Sequence, residues 1–349
     1  VWEELSDGPI DELPQRFAET YEVMFDATSA KPVPGIDLKG LSPVGFQEGM
    51  NAVGDNRDEV LRVDREAFLS EARRLMADCS DINAGRFLRI VHAAYEHALG
   101  TQTDRHTLFY HIHNPGTSAS FNFLANIPDA RLMMMVRSPV QSLESWLNKA
   151  VNDSDYTVMT SRISSTLFAI DKIAFRKQPS IGVRLEDLKA RPKATMQALC
   201  KWIGIEESPS LYEMTAQGKK WWGDPSSPDY NDKKEMSPFD DACVKRPLGT
   251  VFSQRDRFVM ETLFHPFSVL FGYAQDDPET FKNNLEKTRG IVDGLLDFEQ
   301  KIIDQTDIDQ KKFRQQGDYL LFRAALADRL AVLEEFGTYP HMLKPLDIE

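Results

Sequence analysis

Five consecutive apolar residues, Leu132 to Val136, stop abruptly at Arg137-Ser138-Pro139, in the segment Arg131-LMMMVRSPVQSLES-Trp146. This junction constrains the fold more than any other stretch of the chain. A short unbroken apolar run fits a strand buried on both faces, as in a parallel sheet. Pro139 has a fixed φ that suits the first turn of a helix. Beyond it, Val140, Leu143 and Leu147 recur at helical spacing. Arg137 therefore falls where a strand ends, and Ser145 lies about two turns into the following helix. Open α/β folds bind ligands in the crevice at the carboxyl ends of their strands. A guanidinium and a hydroxyl at a helix start there are good chemistry for a phosphate.

The rest of the chain alternates in the same way. Thr107–Ile112 and Ile181–Val183 read as strands. Residues 8–29, Asp64–Met76, Ala84–His97, 118–126, 157–175 and 192–203 read as helices, the last opened by Pro192. Phe87, Ile90, Val91 and Ala94 form one apolar stripe. Residues 30–60 are rich in Gly and Pro and read as a surface excursion. The alternation predicts an α/β fold with three layers, a central parallel sheet flanked by helices, and right-handed crossovers. Residues 276–349 carry two further helical stripes, Leu295-Phe298-Ile302-Ile303 and Tyr319-Leu320-Phe322-Leu326-Leu330-Leu333. They read as a C-terminal helical extension, which is either a cap on the core or a surface for homodimerisation.

Composition sets the outer bounds. The chain has 349 residues and a formal net charge of −13. That balance argues against nucleic acid and other extended polyanions as partners, because these require a basic face. It leaves room for a small anion held by a few local donors. No apolar run approaches the roughly 18–20 residues of a membrane span. Cys79, Cys200 and Cys243 are far apart and show no CxxC spacing. This favours a reducing, cytoplasmic setting over a disulfide framework or a zinc site. Cys200 falls on the apolar face of its helix and reads as a buried structural thiol.

The Arg137–Ser145 segment resembles the 3′-phosphate-binding motif of sulfotransferases that use 3′-phosphoadenylyl sulfate (PAPS). Asn126-IPDA-Arg131 is similar to the family's lead-in to that strand. Val183-RLEDLKARPKATMQALCKWIGI-Glu206 resembles its "RYEDL" segment, with Leu185 where many members have Tyr. Phe264-HPFSVLFG-Tyr273 resembles its last helix, which ends in Gly-Tyr. The resemblance covers residues 1–275 as a sulfotransferase domain, and 105–275 most specifically. It implies that Arg137 and Ser145 grip the 3′-phosphate. It also implies that a 5′-phosphosulfate loop belongs just before Val1, since no such loop is found in the sequence. On that expectation residues 1–349 alone would be poorly stable and inactive.

Two more elements take roles from the resemblance. Phe109-YHIHNP-Gly116 is similar to the segment carrying the family's general base, and His113 aligns with that base. A histidine titrating near neutrality suits removal of a proton from an acceptor hydroxyl. His111 and His113 also sit at a metal-pair spacing, but no third ligand is evident, so no metal is expected. Lys245, Arg246 and Gly249 occupy the place of the basic, glycine-containing loop that closes on the nucleotide. Trp221 or Trp222 offers a flat apolar face to adenine. The implied reaction is sulfuryl transfer from PAPS to a hydroxyl or amine of a small-molecule acceptor. Two other readings stay open on the residues: a nucleotide kinase-like phosphoryl transferase, and a non-catalytic nucleotide-binding or scaffold protein. A Walker loop, G-x4-GK[ST], is not present.

Overall fold

The structure is a computed structural model that describes residues 2–29, 49–77, 79, 81–101, 107–111, 117–225, 237–245 and 248–348; for residues 4, 117–121, 242 and 243 it describes the backbone alone. The chain divides into two compact units. One comprises Val1–Asn114, Asn122–Pro128 and Ser208–Pro238, the other Pro115–Phe121, Asp129–Glu207 and Phe239–Glu349.

The first unit is built on α1 (Trp2–Leu5), α2 (Leu13–Thr20), α3 (Arg65–Ala77) and α4 (Ala84–Ala98). The stripe Phe87, Ile90, Val91 and Ala94 is buried with Phe17 and Phe68. Asn83 opens α4 by accepting a hydrogen bond from the Arg86 amide, as a good N-cap does. The single helix expected over 8–29 is instead α2 between two 3-10 turns, Ile10–Glu12 and Glu22–Met24. Pro14 explains the first break: it has no N–H for a continuous helical ladder but fits the first turn of a new helix. The strand expected over Thr107–Ile112 does not form at residues 107–111. These are irregular, with Leu108, Phe109 and Tyr110 exposed. Among the described residues they find no ladder partner, and an extended segment without one gains nothing from its β propensity.

After α5 (Thr117–Asn126) the second unit begins with β1 (Leu132–Val136) and α6 (Pro139–Asn152). Then come α7 (Tyr156–Ala169), α8 (Ile173–Lys177), β2 (Ser180–Arg184), α9 (Leu185–Ala190) and α10 (Pro192–Ile203). It closes with α11 (Gln254–Leu263), α12 (His265–Leu270), α13 (Pro278–Val292), α14 (Asp297–Thr306), α15 (Gln310–Phe313) and α16 (Gly317–Phe336). The helix expected over 157–175 is split into α7 and α8 because Asp171 leaves the ladder. Its carboxylate accepts from the His341 amide at 2.8 Å and from Arg329 at 3.0 Å.

β1 and β2 pair in parallel, with Met134 opposite Gly182 and Val136 opposite Arg184. On its other edge Gly182 meets the C-terminal tail. Its N–H donates to the Lys344 carbonyl at 2.7 Å, and its carbonyl accepts from the Leu346 amide at 2.8 Å. Among the described residues the parallel sheet is these two strands and that bridge, within a mainly helical chain. β1 is not buried on both faces: Met133 and Met135 are 47% and 49% exposed, while Val136 is buried. Among the described residues no third strand lies beside β1 and nothing covers that face, and the apolar run alternates in burial.

The helices after residue 276 share one core with α6, α7 and α11. Phe281, Leu285, Phe298, Ile302, Phe322, Leu326 and Leu330 pack with Leu143, Leu147, Ile163 and Val259. Leu320 is 56% exposed and lies off the stripe assigned to it. The buried Glu299 accepts from the Tyr156 hydroxyl at 2.6 Å and pairs with Arg323. Buried charge is tolerated only with such partners. Among the described residues, no helix is long and apolar enough to cross a membrane.

Candidate functional site

Arg137 is the first residue beyond β1 and is half-buried. Ser138 follows as the N-cap of α6, without a side-chain cap bond. Its backbone N–H donates instead to Glu186 at 3.2 Å. Glu186 stands just past the end of β2, so one carboxylate spans the exits of both strands. Its second oxygen accepts the Tyr273 hydroxyl at 2.7 Å. Arg184, the last residue of β2, lies over the Tyr273 ring at 4.7 Å. Burial first, and then the bond to Glu186, push the Tyr273 phenol above its usual range. Tyr273 is therefore a hydrogen-bond donor at neutral pH and not a base. The acidic pair Glu186-Asp187 is structural, as Asp187 pairs with Arg184 at 3.5 Å and with Arg191 at 2.9 Å.

Helix α6 buries Val140, Leu143 and Leu147 against the core and fastens a second segment along its side. Gln141 donates to the Val244 carbonyl at 2.8 Å. Glu144, only 2% exposed, accepts from the backbone amides of Gly249 at 2.6 Å, Phe252 at 3.3 Å and Thr250 at 3.4 Å. These bonds bring the segment carrying Lys245 and Gly249 to the helix that carries Ser145, itself half-buried. Lys245 is exposed and paired with Asp241 at 2.5 Å. Gly249 has φ +92°, and a Cβ there would come within 3.0 Å of Arg257. Left-handed backbone with little room is a position for glycine.

Of the residues singled out in the sequence, Arg137, Ser145, Lys245 and Gly249 thus belong to one unit. Gln141 and Glu144 act as the ties between the two segments. His113 and Arg246 lie outside the described residues. His111 is described and exposed. The two tryptophans are engaged within the first unit. Trp222 donates to the Gly54 carbonyl at 2.7 Å and lies between Arg57 and Lys220, at 4.2 and 4.1 Å from its ring. Trp221 packs against Val53 and Leu61.

Glu144 is the buried tie in this site that motif reasoning passed over. It occupies a position of the same stripe as Val140, Leu143 and Leu147, where a carboxylate must find buried donors. Its place in that spacing was the available signal. Its bonds also bear on Gly249 as a phosphate donor: the Gly249 N–H reaches an incoming anion only by exchanging the Glu144 carboxylate for it. Arg137 follows the end of a parallel strand, Ser145 lies on the next helix, and Val244, beside Lys245, is bonded to that helix; a guanidinium, a hydroxyl and an ammonium are groups that can hold an oxyanion. Among the described residues, no group of three or more His, Cys, Asp or Glu side chains is placed to hold a metal ion. No family model matches the chain, and neither a curated protein nor a solved structure matches it significantly.

Proposed function

We propose that this chain is a PAPS-dependent sulfotransferase of the three-layer α/β type, acting in the cytoplasm on a hydroxyl or amine of a small-molecule acceptor. The observation that carries the reading is the placement of Arg137 directly after a parallel strand, with Ser145 on the helix that also holds the 241–252 segment. On this reading Arg137 and Ser145 bind the 3′-phosphate, with Lys245 and Arg246 closing on it from the adjoining segment.

In the reaction the acceptor oxygen or nitrogen attacks the sulfur in line with the leaving group. The bond from sulfur to the bridging oxygen breaks, and its electron pair stays on the 5′-phosphate of adenosine 3′,5′-bisphosphate. The acceptor proton passes to His113. Most of the rate enhancement then comes from alignment of the two partners and from donors aimed at the bridging oxygen.

The reading is tested by calorimetric titration of the chain with adenosine 3′,5′-bisphosphate and with adenosine 5′-monophosphate. A clear preference for the bisphosphate supports it. Equal affinities, or no binding of either, count against it.

A further inference from the structure

A second cleft in the same unit is distinct from the Arg137 segment. It lies at the carboxyl end of β2, on the edge that the C-terminal tail bridges, with a volume of about 240 Å³. Its lining includes the charged Arg184, Asp187 and Arg191 and the apolar Leu270, Phe271 and Leu346. Both arginines share one carboxylate: Arg184 approaches Asp187 at 3.5 Å and Arg191 at 2.9 Å. Two guanidiniums against one carboxylate leave one positive charge in excess. The buried Arg184 Nε is the atom that approaches Asp187, at 3.5 Å and without a hydrogen bond. That contact is longer than a good hydrogen bond, so a better-placed acceptor can compete for the guanidinium. Of the apolar lining, Leu270 is 40% exposed.

We infer that this cleft binds a small organic anion: an acidic group such as a phosphate monoester or carboxylate, joined to one ring-sized apolar substituent. The acidic group lies between Arg184 and Arg191, where planar guanidiniums suit a two-oxygen acceptor. The substituent covers Leu270, whose exposed surface it removes from water. The volume falls short of the roughly 300–1,000 Å³ of sites for drug-sized ligands, which limits the ligand to about one ring. Asp187 is the internal competitor for the two guanidiniums. The tail contributes Leu346 to the wall, so occupancy also favours the docked tail. This inference does not depend on the sulfotransferase reading.

The test is titration of the whole chain with phenyl phosphate, inorganic phosphate and phenol, followed by calorimetry or by NMR shifts. Phenyl phosphate is expected to bind more tightly than either fragment. Arg191→Gln should weaken it roughly tenfold, whereas Asp187→Asn should tighten it. The weakening by Arg191→Gln should persist in an Arg137→Ala background, which removes the other phosphate-binding candidate. Arg184→Gln is a second weakening variant, and Arg191, being exposed, carries the test if that variant does not fold. Unchanged affinity in Arg191→Gln would overturn the inference. So would inorganic phosphate binding as tightly as phenyl phosphate, or loss of the Arg191→Gln effect in the Arg137→Ala background.

Discussion

The Glu144 carboxylate and the Gly249 amide meet at 2.6 Å across 105 residues of sequence, and this bond joins the two segments on which the phosphate-binding reading rests. Because Glu144 also serves Thr250 and Phe252, its loss strands several backbone donors at once. Glu144→Ala should destabilise the protein by about 1–3 kcal/mol, the range for a buried donor left without a partner. Glu144→Gln, which keeps one acceptor oxygen, should cost less. Urea unfolding of the three proteins checks the order; equal stabilities would show that the turn finds other acceptors.

Glycines 182 and 290 should respond to alanine with opposite signs. A Cβ at Gly182 would stand 2.5 Å from Cζ of Phe271 and 3.1 Å from Leu343. Phe271 is buried and cannot give way cheaply, so Gly182→Ala should cost about 1–3 kcal/mol. Gly290 lies within α13, and nothing approaches its Cβ position within 4 Å. Gly290→Ala should stabilise by about 0.5–1 kcal/mol. Thermal unfolding of the pair separates the two effects, and a stabilised Gly182→Ala would contradict the packing of the tail on β2.

Helices α11 and α14 cap one another, and their two aspartates should titrate in opposite senses. Ser253 accepts from the Asp256 amide at 3.0 Å and donates to Asp297 at 2.6 Å. The buried Asp256 accepts from the amides of Asp297 and Phe298 at 2.7 and 2.9 Å. The bond from Ser253, and then Arg255, hold the Asp297 carboxyl below its usual value. Its stabilisation is present above the unfolded-state pKa of about 3.9 and is lost as pH falls through the lower folded value. Asp297→Asn should therefore cost a few tenths to about 1 kcal/mol at neutral pH and almost nothing in strong acid. Burial raises the Asp256 carboxyl, so its contribution is greatest at low pH and declines as pH rises through the folded value. Relative to Asp256→Asn, the unsubstituted protein should lose ground with rising pH. Denaturant titrations at several pH values test both signs; parallel trends for the two variants would refute the assignment.

Local chemistry explains what was legible in the sequence. The ends of β1, α6 and α10 follow from Pro139, Pro192 and the left-handed Gly204 that closes α10, each acting within a few residues. Partnerships across the chain were not legible. A strand at Thr107–Ile112 needs a neighbour, and nothing local says that residues 107–111 find none among the described residues. The bridge from Gly182 to Lys344 and Leu346 was equally hidden, because the tail carries no strand-length pattern of its own. Met133 and Met135 read as buried because a continuous apolar run does not specify which layers cover it. Of the candidate site, Arg137 and Ser145 were visible as a strand–helix junction. Gln141 and Glu144 lie between them in the same segment, but their roles depend on a turn distant in sequence.

The most direct test of the central claim is the effect of Arg137→Ala on preference for the 3′-phosphate. Affinities for adenosine 3′,5′-bisphosphate and adenosine 5′-monophosphate are measured on the unsubstituted chain, on Arg137→Ala and on Ser145→Ala. The account predicts that Arg137→Ala removes about 1.5–3 kcal/mol of bisphosphate binding and Ser145→Ala about 0.5–1.5 kcal/mol. Binding of the monophosphate should change little in either variant. An Arg137→Ala protein that keeps the full preference for the bisphosphate would contradict the account.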